Sequence, residues 1–316
     1  MSALSATLRT GSPALLAAAL CALALGGCGL GAGPAPSAVK LLVTRDFGAR
    51  VLAQSGAPKV AGQETVMSLL ERNDAVSTRY GGGFVQSING LAGGDEAGLP
   101  VDWFYYVNGV EAAKGAAATD VHPGDQIWWD RHDWSQAEDI PAVVGSFPEP
   151  FLNGFEGKRY PVRVECADTA AHACSIVAAR LRAAGVPAAL AATGSGGAPY
   201  ALRVMVGPWA SLKGEAGTPS IAGGPRVTGI YARFAPDGAA LTLLDQDGRA
   251  MRTLTGGAGL IAATREQEDA PVWVVTGTDA QGVELAARDF DEATLAHHFA
   301  VALYAGASMP LPIGGA

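Results

Sequence analysis

"DWFYYVNG", residues 102–109, sets Trp103, Phe104, Tyr105 and Tyr106 in one unbroken run that ends on an Asn-Gly pair. Asn-Gly between apolar runs is the strongest short-range hairpin signal, because both residues tolerate the positive φ of a tight I′ turn. Side chains alternate along a strand. Trp103, Tyr105 and Val107 therefore face one way, and Phe104 and Tyr106 the other. A second stretch, "QIWWDRHDW" at 126–134, repeats the pattern. There Trp128 and Trp134 share a face, opposed by Ile127 and Trp129. Four of the six tryptophans fall in these two stretches. A sheet with one wet face alternates apolar and polar residues. These strands carry large apolar groups on both sides, so both sides need a cover. A helix can supply one. The other meets either the rest of the chain or a ligand or partner, and the residues alone leave both readings open.

Working outward, residues 39–139 read as one α+β domain. "VKLLVTRDFG" and "ARVLAQ" form a hairpin around Asp46-Phe47-Gly48. "TVMSLLERN" reads as a helix with Thr65 as its N-cap and Val66, Leu69 and Leu70 on one face. "GGGFVQSING" gives a strand entered by glycines, and "HPGD" at 122–125 a turn. Strand, strand, helix, then strands in so short a segment predict a sheet that grasps a single helix.

Residues 140–159 are a Pro/Gly-rich connector. It holds Phe147, Phe151 and Phe155, which need somewhere to pack, so it is read as ordered. Residues 160–305 read as a second α+β domain, and 306–316 as a tail. "YPVRVEC" predicts a strand, and "CSIVAARLRAAG" a helix closed by Gly185. "GIYARFAPDGAALTLLDQDGRAMRTL" predicts a meander, "PVWVVTG" a strand, and "DEATLAHHFAVALYAG" a closing helix.

Arg9 is the single charge ahead of the apolar run "ALLAAALCALALGG", which ends in small residues. That is a secretory signal pattern over residues 1–27. It closes on Leu25-Gly26-Gly27-Cys28, which resembles a bacterial lipobox. The resemblance implies cleavage before Cys28 and lipid on its sulfur, with 28–38 as a flexible tether. An ordinary signal peptide with a chance cysteine is the alternative. The lipobox reading places the protein at the extracytoplasmic face of a cell membrane. Cys166 and Cys174 then remain as a pair, and outside the cytoplasm such a pair favours a disulfide over a metal site.

The net charge of -8 and the lack of any Lys/Arg cluster argue against nucleic acid as a partner. No nucleophile elbow, phosphate loop or metalloprotease motif occurs, so no cofactor and no enzyme activity are expected. "GGAGL" at 256–260 reads as a tight turn or a helix start. His297 and His298, taken as helical neighbours, point about 100° apart and make a poor metal pair. In "DRHD", Asp130 and His132 share a strand face, where a carboxylate could tune a base or simply close a polar strand end.

The ordered series "VMSLL", "GGFVQSING", "DWFYYVNG", "KGAAATDVHPGDQIWW" resembles the domain family DUF4430, which is similar to the C-terminal domain of transcobalamin and intrinsic factor. The resemblance implies a β-grasp fold of the soluble ligand-binding type. In the vitamin B12 carriers that domain closes over a corrinoid held by a helical barrel, and this sequence has no such barrel. By motif matching, Phe84 to Gly90 and Trp103 to Tyr105 are the positions nearest a ligand. Residues 160–212 weakly resemble a peptidoglycan-binding SPOR domain. The expected function is therefore a lipid-anchored extracytoplasmic binding protein for a small molecule, a corrinoid among the candidates, handed on to a transporter. Trp103 and Trp128 would stack on the ligand, Gln86 and Ser87 would hydrogen-bond it, and Phe84 and Tyr105 complete the expected ligand-binding positions. The alternative is an envelope protein that contacts peptidoglycan or a protein partner.

Overall fold

The structure is a computed structural model, and it describes residues 38–56, 58–59, 62–196 and 200–314. The signal segment, Cys28 and all of the tether but Ala38 lie outside the described residues. Among the described residues no helix is long and apolar enough to cross a membrane.

The N-terminal domain contains β1 (Lys40–Arg45), β2 (Arg50–Ser55), α1 (Val66–Asn73), β3 (Val76–Arg79), β4 (Phe84–Ile88), β5 (Leu91–Ala92), β6 (Gly94–Glu96), β7 (Leu99–Val107), β8 (Val110–Glu111) and β9 (Gln126–Asp133). Its main sheet runs β2-β1-β9-β7-β6, with β8 paired to β7. The outermost strands in sequence, β1 and β9, are parallel neighbours at its centre. The other pairs are antiparallel. A mixed sheet thus grasps one helix, and β3, β4 and β5 form a small sheet beside it.

Helix α1 starts where its sequence says it should. The Thr65 hydroxyl accepts the Ser68 amide at 3.2 Å, and the Ser68 hydroxyl accepts the Thr65 amide at 3.0 Å. This reciprocal cap satisfies two amides that a helix start leaves orphaned. Val66, Met67, Leu69 and Leu70 are buried against Leu41, Val43, Trp103, Ile127 and Trp129. That is one covered face of the aromatic strands.

The second domain contains β10 (Val162–Cys166), α2 (His172–Ala183), β11 (Ala188–Ala192), β12 (Leu202–Pro208), α3 (Trp209–Leu212), α4 (Pro225–Thr228), β13 (Ala232–Phe234), β14 (Ala240–Leu244), β15 (Ala250–Thr255), β16 (Gly259–Thr264), β17 (Val272–Gly277), α5 (Ala280–Arg288), α6 (Glu292–Leu295), β18 (Ala300–Tyr304) and β19 (Ala307–Leu311). Seven strands form one sheet, β11-β10-β12-β17-β16-β18-β19. Its first four are parallel and the rest antiparallel. Helices α2 and α5 cover one face together with Phe147, Phe151 and Phe155 of the connector. The Cys166–Cys174 disulfide ties the end of β10 to the start of α2. The chain as a whole is α+β.

The expected closing helix is corrected. Only Glu292–Leu295 is helical, capped by Asp291, whose carboxylate accepts the Thr294 amide at 3.0 Å. The chain then turns at His297, which has a φ of 65°. The following "AVALY" is β18, with Ala300 to Leu303 buried. A continuous apolar run carries no period, so a core strand and a buried helix look alike in sequence. The glycines of "GGAGL" form a turn into β16. Residues 307–311 of the expected tail add the edge strand β19.

The second face of the aromatic strands is covered by the rest of the chain. Leu42, Thr44, Phe104, Tyr106, Trp128, Asp130 and His132 lie on it, as the strand registers require. Phe299, just before β18, sits among them. Its ring lies 5.2 Å from Trp128, 5.6 Å from Tyr106, and 5.5 Å from both Phe47 and His132, edge-on each time. Edge-to-face contacts of this kind add to area burial. The same apolar cluster runs through Ile140, Val143 and Tyr231 to the second domain's sheet and the β13–β15 meander.

Gly48 is where this docking is least forgiving. It has a φ of +81°, and a Cβ there would lie 1.9 Å from the His297 carbonyl oxygen. Gly90 has a nearly identical φ of +82°, yet a Cβ there would meet open space. Gly90→Ala is expected to lose only about 1–2 kcal/mol through its backbone. Gly48→Ala is expected to lose about 1–3 kcal/mol more through overpacking. Urea denaturation of both variants tests this, and equal losses would show that the seam is not tight at this point.

A candidate binding cleft between the hairpin, the connector and the second domain

A cleft of about 470 Å³ opens where three parts of the chain meet. The β7–β8 hairpin supplies Val107, Val110 and Glu111, and the loop after it Lys114, Thr119, Asp120 and His122. The connector supplies Phe155, Glu156 and Lys158, and the β16–β17 loop Glu268.

Asn108 holds the first two of these parts together. It is buried and left-handed, with a φ of 56°, and Gly109 follows at 75°, as the Asn-Gly turn predicts. Its side-chain amide donates to the Asp125 carboxylate at 2.8 Å and to the Gly154 carbonyl at 2.7 Å. Its side-chain carbonyl accepts the Gln126 amide at 2.8 Å. One residue therefore joins the hairpin, the "HPGD" turn and the connector. Burial raises the pKa of Asp125, partly offset by hydrogen bonds from His122 and Asn108. The connector comes close because residue 157 is glycine. A Cβ there would lie 2.8 Å from His122 Nε2. Phe155 stacks on Tyr160 at 4.6 Å, and the Arg265 guanidinium lies 5.1 Å over its ring while pairing with Glu156 at 3.3 Å.

Tyr105 stands behind the cleft wall. Its hydroxyl donates to the Lys114 carbonyl and shares a 2.8 Å hydrogen bond with the Thr119 hydroxyl. Its ring stacks on Trp129 at 4.8 Å. Burial raises its pKa, which keeps it a neutral phenol.

The other expected ligand residues lie elsewhere. Trp103 is 5 % exposed, and its indole donates to the Leu91 carbonyl at 3.1 Å. Trp128 is 1 % exposed and donates to the Thr44 hydroxyl at 2.7 Å. The two face opposite sides of the sheet, so the expectation that both stack on one ligand is corrected: each is packed into a different core. Gln86 donates to the Gly93 carbonyl at 3.1 Å, and Ser87 shares a 2.6 Å hydrogen bond with Ser77. Phe84 is half-buried, edge-on to Tyr80 at 6.2 Å. Of the six expected positions, Tyr105 is the one hydrogen-bonded to cleft-lining residues.

Asp130 and His132 do share a face, 2.8 Å apart, but both are buried in the docking seam. His297 and His298 sit in the turn before β18, where burial lowers both pKa values. Among the described residues no group of three His, Cys, Asp or Glu side chains is placed to hold a metal. The connector residues of the cleft went unread as site residues. The signal available was "NGFEGK", where Gly154 and Gly157 both take positive φ and turn the chain toward the hairpin.

Fold and cleft together define an α+β protein with a small-molecule-sized recess at a seam between segments. Residues 63–133 match the DUF4430 family, a domain of unknown function. No curated protein matches the chain. The matched segment contains the aromatic hairpin and the cleft wall up to His122, while the connector and the second domain's wall lie beyond it.

Glu111 links the hairpin to the connector. Its carboxylate accepts the Ile140 amide at 3.0 Å, and burial, with Asp139 adding to it, lifts its pKa from the ordinary 4.5 to about 7. The folded value is the higher one, so ionisation opposes folding. The stability this group contributes is full below about pH 4.5 and falls as the pH rises toward 7. Glu111→Gln keeps an acceptor for Ile140 and cannot ionise. Because Glu111 is partly exposed, the variant is expected to gain about 1–2 kcal/mol at pH 8 and almost nothing at pH 4.5. Denaturation midpoints at the two pH values check both sign and window.

Proposed function

We propose that the protein is a lipid-anchored extracytoplasmic binding protein, not an enzyme, and that the 470 Å³ cleft holds its ligand. The carrying observation is the construction of that cleft. Three segments far apart in sequence form it, and Asn108 locks two of them, the hairpin with its following loop and the connector, together. Recesses of about 300–1,000 Å³ with mixed apolar and polar walls suit small molecules. Two carboxylates at its edge, half-buried Glu111 and buried Asp125, accept backbone amides, from Ile140 and His122. That arrangement suits holding a ligand better than proton transfer. The lipobox-like "LGGC" supports the anchor, and the likeness to the vitamin B12 carriers makes a corrinoid the first ligand to try. A membrane transporter would receive it.

The test is calorimetric titration of tether-free protein with cobalamins and then with a panel of small amphiphiles. Trp129, stacked behind Tyr105, gives a fluorescence readout. Ala113 lines the cleft and is exposed, so Ala113→Phe should fold normally and bind at least about tenfold more weakly, a loss of ~1.4 kcal/mol. Equal binding by both proteins would remove the ligand from the cleft. No binding across the panel would sink the reading.

A second reading, an envelope protein that docks on peptidoglycan or a protein, has one observation in its favour. Tyr80 is 86 % exposed beside Phe84, at the head of a three-glycine run. Retention on purified cell wall that is lost in Tyr80→Ser would favour it.

A further inference from the structure

We propose that the cleft end of the N-terminal domain faces the lipid surface to which the chain is anchored, so that the cleft opens toward the membrane. This rests on the anchor reading above, and the first support is where the described chain begins. Val39 is buried, and the Lys40 amide donates to the Asp125 carbonyl at 2.9 Å. The Asp125 carboxylate in turn accepts the His122 amide at 2.7 Å, and His122 lines the cleft. The root of the tether is therefore two hydrogen bonds from the cleft wall. β1 enters the sheet opposite Gln126, and β7 leaves it at Val107 opposite Ile127. Root and hairpin thus share one end of the sheet, two strand spacings or about 10 Å apart.

The second support is length. Residues 28–37 separate Cys28 from the first described residue. However they run, ten residues reach at most about 36 Å. The nine residues of β7 carry the sheet's other end roughly 30 Å further away. The root end thus stays within that reach of the bilayer, while no such limit applies to the turn at Ala97 and Gly98.

Two lysines of the cleft rim are available to headgroups, beside the carboxylates of Glu111, Asp120 and Glu268. Three of the five lysines, Lys40, Lys114 and Lys158, stand at the root end. Lys114 and Lys158 border the cleft and have no ion-pair partner among the described residues. Glu156, on the same rim, is paired with Arg265, while Asp120 and Glu268 also face the cleft. The far end carries Asp95 and Glu96, the latter paired with Arg131 at 2.6 Å, and Arg45 and Arg50 stand there as well. Ammonium groups suit phosphate headgroups, and carboxylates are repelled by an anionic surface. A ligand leaving the cleft would then emerge beside the membrane.

The experiment uses full-length, acylated protein in vesicles of equal parts phosphatidylcholine and phosphatidylglycerol, doped with a headgroup-nitroxide lipid. One fluorophore is placed by Ala113→Cys on the cleft rim, another by Ala97→Cys at the far turn; both positions are exposed. Flotation with the vesicles reports the anchor by itself. The expected result is that the label at 113 is mostly quenched while the label at 97 stays bright. Floating protein with equal quenching at both positions, or stronger quenching at 97, overturns the orientation and leaves the anchor standing. Protein that does not float overturns the anchor, and this orientation with it. Lys114→Glu with Lys158→Glu should weaken quenching at 113 without stopping flotation. Unchanged quenching in that variant would remove the charge argument.

Discussion

The structure depends on a carboxylate sealed in its middle. Asp130 is 0 % exposed and accepts hydrogen bonds from the Phe47 and Gly48 amides, at 3.1 and 2.8 Å, and from the Thr44 hydroxyl. His132 adds a contact at 2.8 Å. A buried carboxylate is tolerable only when its lone pairs are satisfied in this way. The amides it collects belong to Asp46, Phe47 and Gly48's turn, in which three consecutive residues take positive φ. Such a turn is costly for Asp and Phe and needs an outside hold. Asp130 supplies it, and the result is that the Phe47 ring projects from the β1–β2 hairpin into the seam between domains. There it stacks on His132 at 4.7 Å and meets Tyr231 and Phe299 edge-on. The Thr44 hydroxyl, which donates to Asp130, also accepts the Trp128 indole N–H. One polar knot therefore sets the rotamers of the aromatic seam around it.

That seam determines where a ligand can sit. Once Phe299 fills the space among Phe47, Tyr106, Trp128 and His132, the docking face keeps only a small recess of about 170 Å³ beside Leu42, Trp128 and His297. The opposite face belongs to α1. What remains accessible is the end of the sheet, where the hairpin, the "HPGD" turn and the connector meet around Asn108. The aromatics thus contribute to a site indirectly. Trp129 backs Tyr105, and Tyr105 steadies the loop that carries Lys114 and Thr119.

Much of this was legible in the residues. The Asn-Gly turn, the Thr65 cap and the two-sided aromatic strands each follow from local chemistry, and each stands in the structure. The two-sided pattern even demanded a second cover, though it could not say which segment supplied it. That choice is tertiary: Phe299 lies 167 and 171 positions from its partners His132 and Trp128 on β9, and no local period connects them. The last strand was misread for a related reason. "FAVALY" is apolar at every position because β18 is buried on both faces, and a strand with no wet side loses its alternation. Trp103 and Trp128 looked like a stacking pair because they are large and near in sequence order. Parity separates them, since one is odd and the other even in paired strands.

The family match sharpens what is peculiar to this chain. It begins at residue 63 and ends at 133, so it contains α1, the hairpin and Asp130, but not the β1–β2 hairpin that Asp130 holds. The central pairing of β1 with β9 therefore joins matched to unmatched sequence. The same is true of the cleft. Its wall from Val107 to His122 lies inside the match, while Phe155, Glu156, Lys158 and Glu268 come from outside it. The matched segment thus provides one wall of the recess, and segments outside the match close it. The connector reaches the matched wall because Gly154 and Gly157 both take positive φ there.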